Sequence, residues 1–186
     1  MKINRLYPYK TLTRTTHDDG TRFYNEPETN LLLPSVTTII DKTSDKSYLL
    51  EWEARLGPKQ VKKEKDYATT LGTLVHTHLE HYILNQDRPR GNVPVRVLAK
   101  DMADKVIEEG LNHITEVWGL EVPLYFPGLF AGTTDLVGLY KDKPAIIDYK
   151  SAKNTRTKDI IGHYFDQIAA YAIAHDELYK TQIECC

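Results

Sequence analysis

LFAGTTDLVGLY (129–140) and PAIIDYK (144–150), joined through Lys141-Asp142-Lys143, decide how this chain is read. Both stretches are rich in β-branched and small apolar residues and meet at a cluster of turn formers, so they read as neighbouring strands. LEVPLYF (120–126), followed by Pro127-Gly128, supplies a third strand before them. Charged residues interrupt this apolar meander at Asp135 on the second strand and at Asp148 and Lys150 on the third. Side chains alternate along a strand, so Asp148 and Lys150 share one face and Tyr149 takes the other. The place of Asp135 depends on the turn. A two-residue loop, either Lys141-Asp142 or Asp142-Lys143, sets Asp135 opposite Asp148 or Lys150, and the three groups converge on one face. A three-residue loop shifts the register and turns Asp135 away.

Two carboxylates a few ångströms apart offer hard oxygen ligands suited to Mg²⁺ or Mn²⁺. The backbone carbonyl of Tyr149 is placed to add another oxygen. A metal held there polarises a phosphate and helps generate hydroxide from water, and a lysine ammonium beside it stabilises charge developing on the phosphate oxygens. Taken alone, a D…DxK spacing arises by chance and makes a weak surface salt bridge. The setting argues for more: Asp148 and Lys150 follow the buried-strand signature Pro-Ala-Ile-Ile, and Asp135 sits among small and apolar residues. Charges at the ends of buried strands need a reason.

Working outward, TLTRTT and TRFY flank Asp18-Asp19-Gly20 and predict a hairpin over 10–24. In LLLPSVTTII (31–40), Ser35 is placed to cap a short helix. Helices are expected from Ser47 to Leu56, ending at Gly57-Pro58, then over about 59–86 and about 95–117, and finally over about 164–179. Helices, then a β-meander, then a helix imply an α+β fold in which helices flank a mixed sheet.

The chain has 186 residues, 41% of them hydrophobic and 27% charged, and carries a formal net charge of −2. With no repeat or linker it reads as one domain, residues 1–118 forming an N-terminal hairpin and helical part and 119–186 the meander and last helix. No apolar run approaches the length needed to span a bilayer, and the first residues lack the apolar core of a secretion signal. The only cysteines, Cys185 and Cys186, are adjacent, which suits a reducing, cytoplasmic compartment. Overall charge gives no sign of nucleic acid, so any such affinity must be local.

GTLVH (72–76), AGTTDLVG (131–138), IIDYK (146–150) and QIAAY (167–171), in this order, resemble the RecB-like branch of the PD-(D/E)XK nucleases. LLPSVTTII, Leu50-Glu51-Trp52 and GTLVHTHLEHYI look more specifically like the mitochondrial genome maintenance exonucleases and their phage and bacterial relatives. The similarity covers about residues 30–180. It implies a restriction-endonuclease-like core with an N-terminal helical region. It further implies that His76 joins Asp135 and Asp148 in the metal shell, that Lys150 is the catalytic lysine, and that Gln167 and Tyr171 form a QxxxY pair. The pair also shares a helix face by its i,i+4 spacing. Glu121 matches an acid often found before the GxxD motif, with its role open. Gly72 costs about 1 kcal/mol within a helix, consistent with close packing against another backbone. His78 and His81 are equally eligible on composition, and HTHLEH lacks the HExxH spacing of a zinc helix. An iron–sulfur cluster, which some relatives hold with four dispersed cysteines, has no ligands here. Relatives generally continue with further strands beyond TQIECC, so either this protein is short or its sequence is a truncated product.

The resemblance implies a metal-dependent exonuclease acting on single-stranded DNA ends, and the lack of a visible targeting segment suits a bacterial or phage-infected cell. Lys153, Arg156 and Lys158 follow the third strand with no acid between them after Lys150, and Lys59, Lys62, Lys63 and Lys65 cluster on the long helix. Such clusters bind phosphates through counterion release. Trp52, with Tyr48 and Tyr67, is available to stack on bases or to pack the helices together. An endonuclease of the same fold and a binding module without catalysis are the alternatives.

Overall fold

A computed structural model of the chain describes residues 1–152 and 158–186, the side chains of 158–160 excepted. Lys141 and Asp142 both adopt left-handed backbone, with φ of 50° and 63°, as the favoured two-residue hairpin turn requires. They join β6 (Phe130–Tyr140) to β7 (Lys143–Ile147), with Tyr140 opposite Lys143 and Leu136 opposite Ile147. The turn is thus the first of the two-residue loops expected. On its other side β6 pairs antiparallel with β5 (Ile114–Phe126), through a turn in which Gly128 has φ 72°. β1 (Lys2–Ile3) runs parallel to β5, so the sheet is mixed and has the order β1-β5-β6-β7 among the described residues.

A smaller antiparallel sheet contains β2 (Arg14–Thr16), β3 (Arg22–Asn25) and β4 (Leu32–Pro34). Asp19 Oδ1 accepts from the Thr21 N–H at 2.9 Å and Gly20 has φ 84°, which turns the β2–β3 hairpin where Asp18-Asp19-Gly20 predicts it. Ser35 then starts α1 (Val36–Thr43) by accepting from the Thr38 N–H at 3.0 Å. α1 and α5 (Lys158–Tyr179) pack on the larger sheet and on each other. Val36, Trp118, Val122, Leu124, Val137, Ile146, Tyr171 and Ala174 form that core. A Val, Leu or Ile side chain buried this way contributes about 1.5–3 kcal/mol.

The chain divides into two compact units. The first holds both sheets with α1 and α5. The second contains Asp45–His113 and the stretch starting at Tyr149. Its helices are α2 (Ser47–Leu56), α3 (Pro58–Ile83) and α4 (Pro94–Glu109). Gly57, with φ 76°, separates α2 from α3, and Pro58 opens α3 where a missing N–H costs nothing. Leu71, Val75, Leu79 and Ile83 give α3 a buried stripe, and the fully buried Ala99 and Ala103 let α4 approach closely. Arg88, after α3, donates from Nε to His78 Nδ1 at 3.3 Å and pairs with Asp104 at 2.7 Å.

Several boundaries differ from the sequence expectation. The helix placed over 95–117 ends at Glu109, because Gly110 stops it and ITEVW, with Ile114, Val117 and Trp118 buried, extends β5 instead. α3 stops at Ile83, and α5 starts earlier than 164. β7 stops at Ile147, so Asp148, Tyr149 and Lys150 come after the strand rather than lie on it. The Thr134 hydroxyl donates to the Ile147 carbonyl at 3.1 Å, capping the ladder where it ends. No described helix is long and apolar enough to cross a membrane.

A Cβ on Gly138 would lie 2.2 Å from the Glu116 carbonyl oxygen, whereas a Cβ on Gly162 in α5 meets nothing within 4 Å. Gly138→Ala is therefore expected to lower stability by about 2 kcal/mol or more, and Gly162→Ala to raise it by about 0.5–1 kcal/mol. Urea denaturation of both variants beside the parent chain checks the two signs.

Candidate functional site

The site begins at the middle of β6. Counting on from Leu136↔Ile147 sets Asp135 across from Asp148. On the β5 side, Asp135 stands across from Glu121, between the pairs Leu120↔Leu136 and Val122↔Thr134. Glu121 has φ 48°, left-handed backbone inside a strand. A non-glycine residue held there costs on the order of 1 kcal/mol or more, and such strain concentrates at functional positions. Glu121 and Asp135 offer carboxylate oxygens within 4.8 Å of each other. Both are hard oxygen donors of the kind that could hold Mg²⁺ or Mn²⁺.

α5 supplies the neutral partners. Gln167, 7% exposed, donates from Nε2 to Asp148 Oδ1 at 3.4 Å and to the Tyr171 hydroxyl at 3.2 Å. The i,i+4 spacing read from the sequence thus joins the two side chains directly, with Asp148 as third member. Burial holds the Tyr171 phenol well above its ordinary pKa. The bond from Gln167 opposes this, and the charges of Asp148 and Asp135 reinforce it. Tyr171 fits because Gly132 has no side chain: a Cβ there would lie 2.5 Å from the ring.

In the second unit, His76 on α3 directs Nε2 to the Tyr149 carbonyl at 3.1 Å, with the two rings 5.7 Å apart and nearly perpendicular. The carbonyl expected to offer a metal ligand thus accepts a hydrogen bond from the histidine assigned to the same shell. Gly72 on α3 faces the Ser151 hydroxyl, 3.2 Å from where a Cβ would sit. The close neighbour is a side chain, not the backbone expected. Lys150 is exposed.

Of the residues expected to hold nucleic acid, Lys62 and Lys63 are exposed on α3 and Trp52 is half-buried on α2. Tyr48 is 73% exposed and Tyr67 is 40% exposed, so α2 and α3 present aromatic as well as basic groups. Lys65, counted in the same cluster, pairs with Glu53 at 2.6 Å. Lys153 and Arg156 lie outside the described residues, and Lys158 opens α5 with its side chain outside them.

Two contributions had no clear mark in the sequence. The Thr134 hydroxyl, fully buried, carries no pattern that separates it from an ordinary strand threonine. The backbone twist at Glu121 is equally silent, although the acid itself stands in LEVPL. No protein-family model matches the chain, and comparison with curated proteins finds no match.

Gly132→Ala is expected to drive the Tyr171 ring from its seat and break the Gln167–Tyr171 hydrogen bond. The readouts are a shifted Gln167 side-chain amide resonance and a loss of stability of about 1–3 kcal/mol.

Proposed function

We propose that the chain is a Mg²⁺- or Mn²⁺-dependent nuclease of the PD-(D/E)XK type that hydrolyses DNA, working as an exonuclease on single-stranded ends. The observation that carries the chemical part is the alignment of Glu121, Asp135 and Asp148 across β5, β6 and the end of β7, with Gln167 donating to Asp148. DNA as substrate and the preference for ends rest on the resemblance of the sequence motifs. So do the roles of His76 and the Tyr149 carbonyl as metal ligands, of Lys150 as catalytic lysine, and of Lys153, Arg156, Lys158, Lys62, Lys63 and Trp52 in holding the strand.

In this reading Asp135 and Asp148 would hold the cation, and Glu121 would add a further oxygen. A bound Mg²⁺ or Mn²⁺ supplies Lewis-acid polarisation of the phosphodiester and lowers the pKa of the attacking water. Gln167 donates to Asp148 Oδ1 and so fixes the orientation of that carboxylate. Tyr171, kept protonated by burial, accepts from Gln167 and holds that amide in place. The Lys150 ammonium stabilises negative charge developing on the phosphate oxygens.

The test uses the purified chain with end-labelled linear and covalently circular single strands, in Mn²⁺ and in EDTA. Expected is degradation of linear strands only, abolished by EDTA and lowered about 100-fold or more by Asp148→Asn and by Lys150→Ala. Cutting of circles would replace the exonuclease with an endonuclease of the same fold. Binding with no metal-dependent cutting would overturn the catalytic reading and leave a binding module.

A further inference from the structure

His175 lies two turns along α5 from Gln167, takes no part in the carboxylate cluster, and is 0% exposed. Its ring joins two stretches distant in sequence. Tyr9 hydroxyl lies 3.0 Å from Nε2 and Thr181 Oγ1 lies 2.7 Å from Nδ1. Thr181 donates its own proton to Asp176 Oδ1 at 2.7 Å, so it accepts from Nδ1–H, which leaves Nε2 to accept from Tyr9. The imidazole is neutral in this arrangement, with both nitrogens engaged.

Beyond Thr181 the chain covers the outer edge of β7. Ile183 N–H donates to Asp176 at 2.9 Å, Glu184 N–H to the Pro144 carbonyl at 2.9 Å, and Ile146 N–H to the Cys185 carbonyl at 3.1 Å. Cys185 thereby bridges Ala145 in parallel. Nδ1–H donates to Thr181 in the protonated ring as well, so these bonds stay; we propose that His175 is an acid-sensitive clasp on its other side, whose protonation at Nε2 releases Tyr9 from α5.

Protonated, Nε2 becomes a donor facing a donor, and the Tyr9 hydroxyl has to turn away inside an aromatic enclosure. Tyr7, Tyr9 and Tyr179 surround the ring with centroids 5.1, 5.8 and 5.0 Å away. Their phenols are held protonated by burial, and Trp118, packed on Tyr7 from β5, carries no charge. Asp176, on the same helix, is the charge that favours the imidazolium. Burial outweighs it and brings the His175 pKa down to about 4.

Linkage sets the direction. The released imidazole, at its ordinary value of 6.5, binds the proton more tightly than the clasped one, so the clasp is whole above that pH and weakens as pH falls toward 4. Between about pH 7.5 and pH 5 the ratio of closed to open falls about 30-fold.

Amide hydrogen exchange on the whole chain, corrected for intrinsic rates, tests this. Expected is about a 30-fold loss of protection at Tyr9, whose N–H donates to the Tyr7 carbonyl at 3.0 Å, between pH 7.5 and pH 5, with Ile146, Ile183 and Glu184 unchanged. In His175→Gln the pH step disappears. Should that variant not fold, Tyr9→Phe, which removes the donor conflict, weakens protection at pH 7.5 and shrinks the step. Equal protection at both pH values would overturn the clasp, as would a His175 ring titrating near 6.5. The measurement uses neither metal nor DNA, so its failure is separate from failure of the nuclease reading.

Discussion

Lys141 and Asp142 close the β6–β7 hairpin in left-handed backbone, and every later pair of the ladder is counted from Tyr140 and Lys143. That count brings Asp148 level with Asp135. The antiparallel pairing of β6 with β5 brings Glu121 level with it from the other side. A one-residue slip at either turn would send the acid of one strand to the opposite face. The glycine at 138 serves the same alignment, since it lets the Glu116 carbonyl close against β6 where the β5 register shifts.

Carboxylates brought level on neighbouring strands repel one another, and Asp135 and Asp148 are half-buried while Glu121 is exposed, so the two inner acids draw on their surroundings. Gln167 gives Asp148 a buried donor, and Tyr171 holds that donor by taking its second bond. Glu121 adds backbone strain. A divalent cation would neutralise the repulsion, and this is why the proposed chemistry and the geometry suit each other.

α5 links this arrangement to the chain's far stretches. Gln167 and Tyr171 serve the acids on one end of its buried face, and His175, a turn further, gathers Tyr9 and Thr181. Between them Ala174 lets the helix settle onto Val122 and Val137. One helix face thus combines polar positioning, apolar packing and a neutral histidine, each at a spacing of about one turn.

Local chemistry made much of this legible in the residues themselves. Ser35 before an apolar run, Gly57-Pro58 between two helices and Asp18-Asp19-Gly20 in the first hairpin act within a few residues, so their structural effects do not depend on distant contacts. The meander was legible from its strand and turn residues, and the i,i+4 spacing alone put Gln167 and Tyr171 on one helix face, whereas the place of Asp135 opposite Asp148 hung on the turn. Tertiary structure decided what depends on partners far along the chain. It chose the two-residue turn between two allowed registers, and it drew Ile114–Trp118 into β5 because β1 and β6 offered ladder bonds that a helix past Gly110 could not match. It ended β7 before Asp148, where Thr134 takes the last carbonyl. It also twisted Glu121 into a conformation that no local preference favours, because only the surrounding sheet can hold it there.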